Sequence, residues 1–164
     1  MKKITYLTIS FILLIGINAC GGYKPIFSTS NLQFKISDYS IKGDESLGKK
    51  IYTKLYNASQ SNKNTTAVKN INISIEVSKD KTAKVKNSAG KILEYKISLN
   101  SLIIIKNYLT NEEILTQNFT FFSSYKVQDQ HYETVKLENK TVENLVNKTY
   151  QDLLIKLSEN LSTE

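Results

Sequence analysis

Residues that carry catalytic and metal chemistry are scarce in this chain. Among 164 residues there is one cysteine, one histidine and no tryptophan, and all 22 basic residues are lysine because arginine is absent. A lone cysteine excludes an internal disulfide framework. Without a cysteine and histidine cluster, the usual zinc ligands are also missing. Lysine meets a phosphate as a point charge, since it lacks the bidentate fork of arginine.

The same scarcity weighs against an enzyme. The single histidine stands in Gln130-His131-Tyr132-Glu133, a sequence typical of the start of a helix, so a capping or exposed imidazole is favoured over a general base. The acidic residues are dispersed and form no aspartate-rich metal loop. Gly21-Gly22 is not a phosphate-binding loop, because it does not follow a strand. We expect a protein without catalytic activity, metal or cofactor.

The one cysteine follows a segment typical of a secretory signal. Two lysines open the segment, and residues 4–17 form an apolar run shorter than the about 20 apolar residues of a transmembrane helix. The run ends in Ile17-Asn18-Ala19-Cys20, which resembles the bacterial lipobox apart from its asparagine. We expect residues 1–19 to be a signal peptide and Cys20 to be the lipidated N-terminus. An ordinary signal with a stray cysteine is the alternative.

Lipidation at Cys20 implies that the protein is anchored to a membrane. Several acyl chains, at about 0.8 kcal/mol per buried methylene, hold a protein firmly at a membrane surface. Glycine, not aspartate, follows the cysteine, so by analogy with enteric lipoproteins we expect the periplasmic leaflet of the outer membrane. The net charge of +7 becomes +5 without the two lysines of the signal (7 − 2). In a secreted lipoprotein this balance favours an anionic surface or glycolipid over nucleic acid.

The residues after the signal are enough for one domain, since 164 − 19 leaves 145. We expect a lipidated linker over residues 20–30 and a single domain over 31–164. Alternating apolar residues predict four strands, and apolar residues at helical spacing predict two helices. The strands are predicted at residues 28–41, 68–77, 91–108 and 114–127, and the helices at about 45–58 and 132–161. The order β-α-β-β-β-α predicts an α+β fold, an antiparallel four-stranded sheet with both helices packed on one face.

The first residues after the signal resemble those of a known family. Cys20 is followed by Gly21-Gly22-Tyr23-Lys24-Pro25-Ile26-Phe27, similar to the Cys-Gly-Phe-Arg-Pro-Leu-Tyr opening of many LptE-family proteins, the lipopolysaccharide-assembly lipoproteins of the outer membrane. The segment from Gly90 to Ile97 resembles the glycine-led start of that family's third strand, and the order of elements is shared. The chain departs from the family by one extra glycine and by lysine where arginine is common.

The resemblance implies a non-enzymatic lipoprotein that sits as a plug inside an LptD-like β-barrel translocon. Such a protein helps the barrel assemble and binds lipopolysaccharide during its export. Tyr23, Pro25 and Phe27, just beyond the lipid, are then expected to contact the barrel wall or the membrane interface. A free-standing lipoprotein of the periplasmic face, which carries an amphiphile or a peptide, is the alternative.

Five lysines lie between the second and third predicted strands, where only Asp80 opposes them. We expect a hairpin tip whose ammonium groups meet the phosphates and carboxylates of lipopolysaccharide, partly screened by salt. A solvated loop in a lysine-rich chain is the alternative. The candidate ligand-binding residues are Lys79, Lys81, Lys84, Lys86 and Lys91.

Ten tyrosines and six phenylalanines favour a protein-facing surface over a catalytic one. We expect Phe119 and Phe121 to lie in the core of the sheet. The aromatic residues expected to be free to line an interface include Tyr39, Tyr108, Phe122 and Tyr125.

Overall fold

A computed structural model describes residues 34–60 and 69–161 of the chain. The predicted signal, Cys20 and the three residues Tyr23, Pro25 and Phe27 lie outside the described residues. The described part confirms the α+β class and the predicted order of elements. In chain order the elements are β1 (Phe34–Gly43), α1 (Glu45–Gln60), β2 (Lys69–Lys86), β3 (Ile92–Asn107), β4 (Glu113–Lys126) and α2 (His131–Leu161).

The four strands form one sheet in the order β1-β2-β3-β4. β2 pairs antiparallel with β3, and β3 pairs antiparallel with β4, as predicted. The first pair differs, because β1 and β2 run parallel. A helical crossover returns the chain to the end of the sheet where it started, so the strand after α1 runs in the same direction as the strand before it.

The turn from β1 into α1 depends on a glycine. Gly43 has a φ of 78°, and a Cβ atom added there would lie 2.1 Å from the carbonyl oxygen of Val77. The backbone N–H of Asp44 donates to that same oxygen at 2.8 Å. The carboxylate of Asp44 then caps the helix by accepting the N–H of Leu47 at 3.1 Å.

Both helices cover the same face of the sheet, which we call the covered face. The alternating residues of β2 and β3 and the apolar stripes of both helices are buried there, as the spacing predicts. Phe119 and Phe121 also pack in or against this core, as expected. The fully buried side chains include Phe34, Ile51, Leu55, Ile71, Ile75, Ile97, Ile103, Ile105, Leu153 and Leu157. The opposite face of the sheet carries no helix in the described part, and we call it the open face.

The prediction that residues 78–91 form a loop is wrong, because most of this segment belongs to strand β2. β2 continues to Lys86 and β3 begins at Ile92, so the turn is limited to residues 87–91. The pairing runs from Ser78 opposite Asn100 to Lys86 opposite Ile92. The long third strand provides backbone partners for the polar segment, whatever its own composition.

The sheet can therefore be divided into two halves along its strands. The distal half comprises residues 78–86 of β2, 92–100 of β3 and 120–126 of β4. The proximal half comprises the remainder of these strands together with β1. Within the described ranges, no helix has the length and apolar character needed to cross a membrane.

Candidate functional site

The tip of the distal half is a tight turn built by one asparagine. The side-chain oxygen of Asn87 accepts the backbone N–H of Ala89 at 3.1 Å and that of Lys91 at 2.9 Å. Gly90 takes the left-handed conformation, with a φ of 81°. The N–H of Asn87 donates to the carbonyl oxygen of Lys91 at 2.9 Å, so Lys91 lies in the turn and Lys86, opposite Ile92, lies at its edge.

Lys81 is partly exposed and forms an ion pair with α2. Its ammonium group lies 2.5 Å from a carboxylate oxygen of Glu138 on α2, and 4.4 Å from the centre of the Tyr95 ring. The hydroxyl of Tyr125 donates to the same carboxylate at 2.7 Å, and the rings of Tyr95 and Tyr125 stack. Tyr125 is only 6% exposed, so its expected role at an interface is wrong. We call these four residues the Lys81 cluster.

The pKa values within the Lys81 cluster favour the charged pair. Burial alone would raise the pKa of Glu138, but hydrogen bonds from Lys81 and Tyr125 outweigh it and lower that pKa below its ordinary value. Burial alone would lower the pKa of Lys81, but the hydrogen bond to Glu138 raises it overall. Burial raises the pKa of the Tyr125 hydroxyl. The cluster therefore carries one ammonium and one carboxylate at neutral pH.

Lys84 is also paired, but weakly. Its ammonium group lies 2.7 Å from the carboxylate of Glu94, and the hydrogen bond from Lys84 lowers the pKa of Glu94. The Lys84 side chain is half exposed, and an exposed pair of this kind is readily exchanged for another anion. Lys79, Lys86 and Lys91 form no ion pair with any residue that the structure describes.

The five predicted lysines are thus divided between two tasks. Lys81 and Lys84 pair with carboxylates of α2 and β3, whereas Lys79, Lys86 and Lys91 are exposed and form no ion pair with a described residue. Reasoning from sequence missed Glu138, because this carboxylate lies on a helix remote in the chain from β2. The helical periodicity of α2 places Glu138 one turn after the buried Thr134 and one turn before the buried Val142, which was the available signal.

Apolar side chains are exposed at the same end of the sheet. Leu93 is 42% exposed and Tyr132, at the start of α2, is 70% exposed. The N–H of Val127 donates to the carbonyl oxygen of Leu93, which brings the start of α2 next to the distal hairpin. Val85 and Val135 are exposed as well. The distal end therefore combines unpaired ammonium groups with accessible apolar surface.

The open face carries two grooves. One, of about 360 Å³, is lined by Asp38, Ser40, Asn72, Ser74, Ile104 and Lys106. The other, of about 200 Å³, lies around Glu76, Ser78, Asn100, Leu102 and Asn118. Both grooves are open to solvent, so neither encloses a ligand in the way that a small-molecule pocket does.

Three of the aromatic residues expected at an interface are exposed. Phe122 stands on the open face and is 67% exposed, with the ammonium group of Lys96 over its ring at 4.4 Å. Tyr108 is half exposed. Tyr39 is also half exposed, and its ring stacks on that of Tyr52 of α1 with ring centres 4.1 Å apart. His131 is the exposed first residue of α2. No three histidine, cysteine or acidic side chains in the described ranges lie close enough together to hold a metal ion.

No protein-family model matches the chain, and no curated protein matches its sequence. Solved structures do match it. The chain is similar to the uncharacterized lipoprotein B from Nitrosomonas europaea, with a TM-score of 0.58 and 14% identity over 87% of this chain and 92% of that one. It is also similar to the rare lipoprotein B from Shewanella oneidensis, with a TM-score of 0.54 and 10% identity over 77% of this chain and 98% of that one. This chain has a fold found in lipoproteins.

Proposed function

We propose that this chain is a non-enzymatic lipoprotein of the outer membrane that plugs and helps assemble a β-barrel lipopolysaccharide translocon. In this role it binds lipopolysaccharide during export to the cell surface. The observation that carries the proposal is the fold, which two solved lipoproteins share over 87% and 77% of this chain. The lipobox-like sequence ending in Cys20 and the residues after it support the same assignment.

The distal end of the sheet suits an anionic amphiphile. Lys86 and Lys91 are held at the turn without carboxylate partners among the described residues, and Lys79 lies on the strand that leads there. Ammonium groups recognise phosphate and carboxylate by charge. Exposed Leu93 and Tyr132 provide apolar area beside them. Lipopolysaccharide, which carries phosphates next to acyl chains, presents both kinds of group.

The open face suits a large protein partner better than an enclosed ligand. Its grooves are shallow, and its exposed Phe122 is an aromatic residue of the kind enriched at protein interfaces. A carrier of a free amphiphile needs a cavity that buries most of the ligand. Neither of the two grooves described on this face meets that requirement.

The test is extraction of the outer membrane with a mild detergent, followed by capture of this protein and mass spectrometry. We expect a large β-barrel in near-equal amount and an N-terminal peptide that starts at an acylated Cys20. Recovery of the lipoprotein without a barrel would contradict the plug hypothesis and favour a free-standing carrier. An unmodified N-terminus would remove the membrane anchor from the proposal.

Binding of lipopolysaccharide is tested with matched lysine variants. Lys86→Gln with Lys91→Gln removes two charges from the distal tip, whereas Lys35→Gln with Lys106→Gln removes two from the opposite end of the sheet. We expect the tip variant to bind purified lipopolysaccharide several-fold more weakly, with a smaller dependence on salt. Equal affinities for the two variants would show that the tip is not the binding site.

A further inference from the structure

The two edges of the sheet are protected to very different extents. β1 is shorter than β4, with 10 residues against 14, its register shifts between Ile36 and Asp38, and charged residues recur along it. These are devices by which natural edge strands avoid pairing with another chain. The charged residues of β1 are Lys35, Asp38 and Lys42.

β4 has none of these devices over most of its length. From Ile114 to Tyr125 no residue is charged, and there is no proline or glycine. Its pairing with β3 is regular from Leu115 to Lys126, and the one irregularity lies before Leu115. A long, regular and uncharged edge strand is a template for another strand.

The hydrogen bonds show which backbone groups of β4 face the free edge. In an antiparallel pair, residues that exchange hydrogen bonds alternate with residues that do not. Val127 donates to the carbonyl oxygen of Leu93, so the odd-numbered residues of β4 bond to β3. The even-numbered residues from Thr116 to Lys126 therefore direct their N–H and C=O groups outward. In agreement, the carbonyl oxygens of Asn118 and Lys126 accept side-chain amides and not β3 donors.

The charges at the two ends of β4 indicate which strand can pair with its free edge. The irregularity in pairing places Glu113 opposite Lys106, on the open face, while Lys126 lies on that face at the other end. When β4 of two copies pair antiparallel about Thr120, Glu113 of each copy lies opposite Lys126 of the other. The dimer therefore has two such contacts between opposite charges. On the covered face, Phe119 then lies opposite Phe121 of the second copy.

We propose that β4 pairs antiparallel with β4 of a second copy of this chain, with Thr120 on the two-fold axis. The outward groups of the even-numbered residues complete each other's hydrogen bonds, and the helices of both copies lie on the same side of the joined sheet. The protected β1 edges end this sheet on both sides, so the assembly closes as a dimer. The inference concerns the chain free of any barrel and does not depend on the proposed function.

Cross-linking tests the register in the full mature protein, kept dilute in excess detergent micelles. Thr120→Cys places one cysteine on each side of the two-fold axis, with about 5.5 Å between the two Cα atoms. A short bismaleimide can bridge the two thiols. Ser78→Cys puts a thiol at the same level of the open face, but five strand spacings, about 24 Å, from its counterpart. The wild-type chain measures background from Cys20. We expect a covalent dimer for Thr120→Cys alone; equal yields for the two variants would overturn the proposal.

Charge reversal tests the identity of the occupant. Glu113→Lys alone sets lysine against lysine at both ends, and Lys126→Glu alone sets glutamate against glutamate. We expect each variant to dimerise several-fold more weakly than the wild type in sedimentation experiments. A mixture of the two variants restores both opposite-charge contacts in the mixed dimer, and association should recover. A mixture that associates as weakly as the separate variants would refute the pairing.

Discussion

The proximal and distal parts of β2 contact the helices through different kinds of interaction. In the proximal half, alternating isoleucines of β2 and β3 are buried beneath both helices. In the distal half, β2 directs Lys79 and Lys81 towards the covered face, and the contact with α2 passes through Glu138 and Tyr125. Along β2, the proximal half contributes buried isoleucines and the distal half contributes a polar cluster, whereas Ile97 and Leu99 of β3 stay buried in the distal half. The difference separates a part of β2 that is buried in the core from a part whose lysines are exposed.

The largest expected effect comes from the proximal core. Ile75 is fully buried, and Ile75→Ala removes apolar area and leaves a cavity, at a cost of about 3 kcal/mol in the free energy of unfolding. Val85→Ala, in the distal half at a side chain that is 40% exposed, should cost less than about 1 kcal/mol. Urea unfolding of both variants measures the contrast. Similar losses would mean that the two halves do not differ in this way.

Gly43→Ala should have the next largest effect. The change adds a Cβ atom 2.1 Å from the carbonyl oxygen of Val77 at a backbone conformation that alanine rarely adopts. We expect a loss of about 2 kcal/mol, measured by thermal or urea unfolding. Gly90→Ala is the distal counterpart: its φ is also positive, but no atom lies within 4 Å of the new Cβ. A Gly43→Ala loss no larger than that of Gly90→Ala would contradict the steric explanation.

Disrupting the Lys81 cluster should lower the free energy of unfolding by a smaller amount. Lys81→Met retains a long side chain but removes the ammonium group from Glu138, and we expect a cost below about 1 kcal/mol because the pair is partly exposed. Lys79→Met, two residues earlier on the same strand face, should have a smaller effect, since Lys79 forms no ion pair in the described part and acts on Glu138 only through its charge. Urea unfolding at neutral pH compares the two. A larger loss for Lys79→Met would mean that the cluster is not what stabilises the distal half.

The smallest expected effect is the pH dependence of the stability that Glu138 contributes to the distal half. Because the pKa of Glu138 is lowered in the folded protein, its contribution to stability is complete above its ordinary value of 4.5 and is lost as the pH falls through the folded value. The difference in unfolding free energy between the wild type and Glu138→Gln should therefore be constant near neutral pH. It should shrink below about pH 4.5. A difference that persists unchanged in acid would exclude the ionised carboxylate as its cause.

Where apolar residues alternate, the fold could be predicted from the sequence. Ile71, Ile73 and Ile75 mark β2, and the stripe ending in Leu157 marks α2, because burial on one face imposes a period on the sequence. The parallel pairing of β1 with β2 was not predicted, although a helical connection between neighbouring strands requires it. The extension of β2 was missed because its polar residues have no such period and pair with the long β3.

The candidate site was harder to predict than the fold. The lysines of the distal half were identified as a group, but their partners were not. Lys81 pairs with a carboxylate that is brought near it by the packing of α2, and no local pattern around Lys81 indicates this. Tyr125 resembles the exposed aromatic residues in sequence, yet it is buried because its ring stacks on Tyr95 and its hydroxyl reaches Glu138.

The crossover between β1 and β2 has a consequence for the order in which the protein assembles. The tight turn at Asn87 joins β2 and β3, which lie close in the chain, whereas Phe34 meets Lys69 only after the intervening helix has formed. Contacts between distant residues carry a larger entropic cost of loop closure. We expect β1 to be the last strand to acquire protection in pulsed hydrogen exchange, after β3; earlier protection of β1 would contradict this order. Although β1 precedes β2 in the chain, it then waits unpaired until the strands that follow it have folded.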